Sequence, residues 1–149
     1  MRIFEAELEE CLLRTLIDLS ADWEAENSCY GYRKNEAGDI EGNRIFLAED
    51  DGELVGYLYG HTEKASRSSS IIADGEPYFE IEELYVKPGR RNSGIGGALF
   101  SFAENAVSDE ARMLMLSTAT KNYRAILHFY IDEMDMQFWS ARLYKRIEQ

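Results

Sequence analysis

Leu8, Cys11, Leu12, Thr15, Leu16 and Leu19 recur at helical spacing, which predicts an amphipathic helix over residues 5–20. A weaker helical piece follows at residues 22–26. The polar stretch 27–43, punctuated by Gly31, Gly38 and Gly42, reads as a loop. The period then changes. Residues 44–49 and 54–60 are apolar runs of strand length on either side of Asp51-Gly52, a two-residue hairpin signal. A Ser-rich segment, 64–76, reads as a loop, and 78–86 reads as a third strand closed by Lys87-Pro88-Gly89. Residues 94–107 put Leu99, Phe102, Ala103 and Ala106 on one helical face; 113–117 form a short apolar strand and 122–133 a further helix. Residues 136–147 return to alternation, with Phe138, Ser140, Arg142 and Tyr144 on one side and Trp139, Ala141, Leu143 and Lys145 on the other. The order helix, hairpin, strand, helix, strand, helix, strand predicts one mixed α/β domain with a strand–helix–strand crossover, without repeats or an interdomain linker.

Composition adds bounds. A chain of 149 residues with 45% hydrophobic and 30% charged residues can bury its own core. No apolar run approaches the roughly 18 residues of a membrane span, and the acidic N-terminal stretch does not read as a secretion signal. Cys11 and Cys29 form neither a metal-ligand spacing nor a disulfide framework, so no metal is expected and a reduced cytoplasmic setting is the simplest expectation. The net charge of -12 disfavours nucleic-acid and anionic-membrane partners. That charge is uneven: residues 1–60 hold 15 acidic and five basic side chains. Such a surface is either a set of solvated faces or the side that receives a cation.

The chemistry concentrates between residues 80 and 99. A strand rich in carboxylates (Glu80, Glu82, Glu83) leads through Lys87, Arg90 and Arg91 into a glycine-rich turn and a helix. Amides at a helix start lack intrahelical partners and sit at its positive pole. Glycine lets a phosphate approach them, so a pyrophosphate is the natural guest. A P-loop is excluded because no Gly-Lys-Ser/Thr ending is present. The dinucleotide fingerprint is excluded because Leu99 stands where its third glycine belongs.

The run Arg91-Asn92-Ser93-Gly94-Ile95-Gly96, preceded by Leu84-Tyr85-Val86-Lys87-Pro88 and followed downstream by Asn122-x-x-Ala125, resembles the acetyl-CoA motif of the GNAT N-acetyltransferase superfamily. Length and element order extend the resemblance over nearly the whole chain. It implies a GNAT fold, a mixed central sheet flanked by helices in a single domain over residues 1–149. It also implies acetyl-CoA as co-substrate, with its pyrophosphate on Arg91, Asn92, Ser93, Gly94, Ile95, Gly96 and Gly97. The pantetheine arm would meet backbone groups of Leu84 and Val86 and the side chain of Asn122.

The acceptor implied is a primary amine attacking directly, without an acyl-enzyme. The acidic first 60 residues favour a cationic amine: a polyamine, an aminoglycoside-like amino sugar or a basic peptide terminus. An alkylammonium starts near pKa ~10, so a base must take its proton. Glu82 is favoured for that role, with Glu80 second. Period-two alternation puts these two on one face of the strand and Glu83 on the other. Tyr130 is the general-acid candidate implied by the resemblance. It stands eight residues after Asn122 where the family commonly has seven, and Asp135-Met136 replaces the usual Gly-Phe. One residue rotates a helical side chain by about 100°, so the helix must start differently or carry a bulge for Tyr130 to serve. His61 and His128 read as structural or solvent-facing, and Tyr30, Tyr32, Tyr57 and Tyr59 as possible walls of an acceptor pocket. A noncatalytic acyl-CoA-binding module with the same fold is the rival function, and a homodimer stays open.

Overall fold

The structure, a computed structural model, describes residues 1–66 and 70–148. Its centre is a five-stranded sheet in the order β1 (Arg2–Ala6), β2 (Arg44–Asp50), β3 (Glu53–Lys64), β4 (Pro77–Val86), β5 (Met113–Met115). Neighbours pair antiparallel except β4 and β5, which are parallel. The parallel pair is joined through helix α3 (Ile95–Ala106), the expected crossover. Helix α1 (Glu10–Glu26) and the short α2 (Ala37–Ile40) cover the opposite face.

The core therefore has two halves. Phe46, Ala48, Val55, Leu58, Phe79 and Ile81 meet Leu99, Phe100 and Ala103 of α3 on one side. Ile45, Leu47, Tyr57, Tyr59 and Tyr85 meet Leu16, Leu19 and Ile40 on the other. Side chains of successive strand residues point to opposite faces, so β2 and β3 feed both halves.

Several elements differ from the sequence expectation. The expected helix does not include residues 5 and 6, and the unassigned start of the chain is a strand: β1 pairs with β2 from Arg2↔Glu49 to Ala6↔Ile45, placing Ile3 against one core half and Phe4 and Ala6 against the other. Helix α1 starts at Glu10 and absorbs the weaker piece, ending where Asn27 adopts a left-handed φ of 52°. The loop 27–43 contains α2, closed by a reciprocal capping box between Glu36 and Asp39. The expected loop 64–76 includes residues 67–69, which lie outside the described residues. The expected strand at 136–147 joins no sheet.

One irregularity matters for function. On β3, Tyr59 and Gly60 are consecutive, but their partners on β4 are Glu83 and Ile81, leaving Glu82 as an extra, bulged residue. The bulge resets the alternation. Phe79 and Ile81 before it, and Leu84 and Val86 after it, all pack on the α3 half. Glu83 therefore shares the α1-facing side with Glu80, correcting the simple period-two expectation.

Candidate active site

The β4–β5 ladder has only three rungs, Tyr78↔Met113, Phe79↔Leu114 and Glu80↔Met115. Beyond Glu80, β4 continues to Val86 without a strand on that side. At the end of this open edge the chain makes a single 3₁₀ turn, Pro88–Arg90, and enters α3. Asn92 and Gly94 carry φ values of 62° and 86°. Gly94 is the N-cap of α3 and gives no side-chain hydrogen bond, so the first-turn amides of this 12-residue helix have no side-chain cap. Gly96 and Gly97 face Phe129 and Met134, and Cβ atoms there would stand at ordinary contact distance, 3.5 Å from the Phe129 ring and 3.6 Å from Met134 Sδ. Ile95 is buried beneath the turn, and Ser93 Oγ donates to the Arg90 carbonyl at 2.6 Å.

The three cations at this turn do not stand as a free positive island. Lys87 Nζ donates to Glu53 at 2.9 Å and Arg90 pairs with Asp50, and each pairing lowers the carboxylate's pKa. Arg91 makes two bonds to Glu26, at 2.7 and 3.0 Å, and its Nε donates to the Val86 carbonyl at 2.7 Å. Glu26 also accepts from Tyr85 Oη at 3.0 Å. Sequence reasoning missed Glu26, which lies 65 residues from Arg91 and belongs to no motif.

Asn122 is the exposed N-cap residue of α4 (Tyr123–Leu127); its carbonyl accepts from the Ile126 N–H and its own N–H donates to Thr120 Oγ1. Among the described residues its side-chain amide makes no hydrogen bond. The chain then winds as a π-helix, His128–Glu133, with a bond from Met134 N–H to the Phe129 carbonyl. This wider turn absorbs the extra residue noted in the sequence. Tyr130 is half-buried, with its ring 4.9 Å from Phe129 and 6.2 Å from Phe100. Burial pushes its phenol up to about 12.

The three β4 carboxylates have different surroundings. Glu83 is an internal acceptor, bonded by Tyr57 Oη at 2.8 Å, Tyr32 Oη at 3.1 Å and Asn35 Nδ2 at 3.0 Å. Burial raises its pKa, opposed by these donors. Tyr57 and Tyr59 are buried, and Tyr32 stacks on Trp23 at 4.4 Å, so these tyrosines pack around Glu83. Tyr30 lies elsewhere, exposed and edge-on to Tyr144. Glu80, on the last rung before the sheet parts, is pushed up to about 7 by burial and then by the charges of Glu82 and Glu63, with His61 opposing. Glu82 is exposed on the bulge.

Beside it lies an open cavity of about 330 Å³ lined by Asp39, Glu41, Asn43, His61 and Glu82. His61 is held there by Asn43 at 3.0 Å and Glu63 at 3.1 Å, with Glu82 at 3.6 Å. His128 is remote from this group and pairs with Asp132. Among the described residues no His, Cys, Asp and Glu cluster could hold a metal, and no helix is long and apolar enough to cross a membrane.

A mixed sheet parts beside a glycine-started helix, with carboxylates at the parting, so an anion can sit at the helix start and a cation beside the carboxylates. The acetyltransferase (GNAT) family model matches residues 6–133, and the chain belongs to that family. The fold agrees with solved structures at low sequence identity. An aminoglycoside acetyltransferase from an uncultured soil metagenomic sample, in complex with trehalose, has a TM-score of 0.69 at 14% identity, covering 99% of this chain and 96% of that one. Aminoglycoside N-acetyltransferase AAC(6')-Iy in complex with CoA gives 0.66 at 14%, covering 99% and 100%. A ribosomal-protein-alanine N-acetyltransferase from Brucella melitensis biovar Abortus 2308 gives 0.69 at 16%, covering 98% and 100%. No curated protein is significantly similar to the chain in sequence.

Proposed function

We propose that residues 1–149 form one acetyltransferase domain that moves acetyl from acetyl-CoA to a primary amine carrying further positive charge, by direct attack. The observation that carries this reading is the meeting, where β4 and β5 part, of an uncapped helix start on one side and Glu80, Glu82 and the acidic cavity on the other. Aminoglycoside and ribosomal-protein acetyltransferases among the fold relatives support an amine acceptor. A cytoplasmic setting accords with two free cysteines.

The turn suits the co-substrate. The first-turn amides of α3 have no side-chain cap, a Cβ at Gly94 would meet nothing within 4 Å, and Arg91 can present two donors to a phosphate. We assign the pyrophosphate to Arg91, Asn92, Ser93, Gly94, Ile95, Gly96 and Gly97, and the pantetheine arm to backbone groups of Leu84 and Val86 and to the Asn122 amide. Acetyl-CoA, when bound, supplies an activated thioester.

The chain's own residues do the rest. Glu82 and the cavity attract the ammonium, and Glu80, half-buried and with its pKa raised, takes the proton. Glu80 thus replaces Glu82, the base favoured from sequence, and the exposed Glu82 is left with recognition. A backbone N–H on the open β4 edge faces the carbonyl oxygen as negative charge builds. Tyr130 returns a proton to the departing thiolate. A phenol is protonated at neutral pH in any case. The upward shift that burial gives Tyr130 makes it a weaker donor, so its loss should slow the reaction only modestly. Product analysis by mass spectrometry tests this directly: an N-acetylated polyamine or amino sugar is expected, and acetyl-CoA binding with no acetylated amine would favour the noncatalytic module.

The Arg91–Glu26 clasp gives a second prediction. A phosphate and the Glu26 carboxylate compete for one guanidinium, so Glu26→Gln is expected to tighten acetyl-CoA binding several-fold in calorimetry. Arg91→Ala should weaken it by about 10- to 100-fold, the worth of a charge-assisted pair. Weaker binding by Glu26→Gln would mean that Glu26 positions Arg91 and does not compete for it.

A further inference from the structure

His61 stands in the acidic cavity with its hydrogen-bond polarity fixed by its neighbours. The Asn43 amide donates through Nδ2 to the carbonyls of Asp39 and Ile40, at 3.1 and 2.9 Å, which turns its Oδ1 toward His61 Nδ1. An amide oxygen only accepts, so Nδ1 must carry a proton. The other ring nitrogen, Nε2, faces Glu63. Glu63 also accepts from Tyr78 Oη at 2.7 Å, and the bonds from Tyr78 and His61 hold its carboxyl below the ordinary glutamate range. An ionised carboxylate is an acceptor too, so the ring donates from both nitrogens, as only the imidazolium can.

This cation is surrounded by negative charge. His61 is the ladder partner of Glu80 across β3 and β4, and cross-strand partners share a face of the sheet. Glu82, on the bulge, stands 3.6 Å from Nδ1. Asp39 and Glu41 line the same cavity from α2 and the residue that ends it. The charged groups facing His61 are thus all carboxylates: Glu63 on its own strand, Glu80 and Glu82 on β4, and Asp39 and Glu41 at α2. Among the described residues lining the cavity, His61 alone can be positive.

We propose that His61 is the specificity-determining residue of this cavity: its imidazolium is a resident cation that takes the oxygens a second substrate ammonium would use, and so limits how strongly a dication is preferred over a monocation. The proposal rests on the reading of the cavity as the acceptor side. Histidine changes charge between pH 5 and 8, whereas an alkylammonium stays charged to about 10. The resident cation therefore leaves with rising pH while the substrate keeps both of its charges.

The test compares kcat/KM for cadaverine with that for pentylamine, which has the same chain and one ammonium, in wild type, His61→Gln and His61→Lys. At pH 5.5 the cadaverine preference of wild type should match that of His61→Lys, and His61→Gln should exceed both by about 3- to 5-fold, the worth of one exposed charge contact. At pH 8.5 wild type should match His61→Gln instead. Glu80 changes charge over the same range, so each comparison is made at one pH. A merely structural role would put both variants on the same side of wild type at both pH values, and that result overturns the proposal. The ring also gives a readout that needs no turnover. Cadaverine added at pH 6.5 to the chain without acetyl-CoA should shift the His61 ring signals toward the neutral form in NMR, because two cations in one cavity oppose each other reciprocally. The remote His128 ring is the internal reference. A shift in a chain that acetylates no amine would defeat the proposed acetylation and keep this role for His61. Ring signals that ignore cadaverine overturn the role, whatever the chain acetylates.

Discussion

Replacing Glu80 by glutamine is expected to lower kcat/KM for amine acetylation by about 10²- to 10³-fold, the usual loss for a general base. The side chain is nearly isosteric, so the effect is chemical. Burial and the neighbouring charges of Glu82 and Glu63 raise this carboxyl to about 7. Only its ionised form can accept a proton, so wild-type kcat/KM should fall as pH drops through about 7 and the variant should lose that step. Glu82→Gln should instead raise KM for polycationic amines and leave kcat largely intact.

Stability gives an independent reading with a definite sign. A carboxyl whose folded pKa lies above its unfolded value binds its proton more tightly in the native state. Its cost to the fold is absent below the ordinary glutamate value of 4.5 and complete above about 7. Glu80→Gln should therefore raise Tm at pH 8 relative to wild type, with the gain shrinking as pH falls toward 4.5. An unchanged pH–rate profile in this variant would remove Glu80 from the mechanism. A Tm gain alone would then mark it as a half-buried charge without a catalytic task.

The second large effect concerns the backbone that aims these carboxylates. A Cβ on Gly60 would overlap the Glu80 carbonyl oxygen and stand 2.8 Å from Phe79 Cε1. Neither neighbour can yield cheaply: one is backbone in the β3–β4 ladder, and the other is a fully buried ring. Gly60→Ala should cost about 3 kcal/mol, the upper end for overpacking, and lower Tm by roughly 6–12 °C for a domain of this size. Gly38→Ala is the control. It has no neighbour within 4 Å and lies in α2, so it should be near neutral. A loss below about 1 kcal/mol for Gly60→Ala would show that the bulge relaxes freely and does not hold Glu80 and Glu82 in place.

Much of this architecture was legible from local pattern. The Asp51-Gly52 hairpin, the strand into the glycine turn, and α3 arise from short-range signals: turn residues, alternation and a helical stripe. β1 was not legible because Arg2–Ala6 mixes apolar and acidic residues that also fit the stripe of α1, and only pairing with β2 decides between them. The bulge at Glu82 was hidden for a related reason. Three carboxylates in four positions look like simple alternation, and the register shift exists only against β3. Charge pairing across the fold was equally invisible: Glu26 and Arg91 meet because α1 ends beside the turn. The alternation in 137–148 predicts a strand that the structure does not form: a strand needs a ladder partner, and the five described strands offer this segment none.

The most direct test of the central claim is the rate of CoA thiol release with matched acceptors: a polyamine, an amino sugar with several ammonium groups, and a monoamine of similar size. If the acidic side of the parted sheet receives the acceptor, the polycationic amines should show the higher kcat/KM. That advantage should shrink as salt rises, because the attraction is electrostatic. Equal kcat/KM for all three at low salt, or release that does not depend on any amine, would contradict the account.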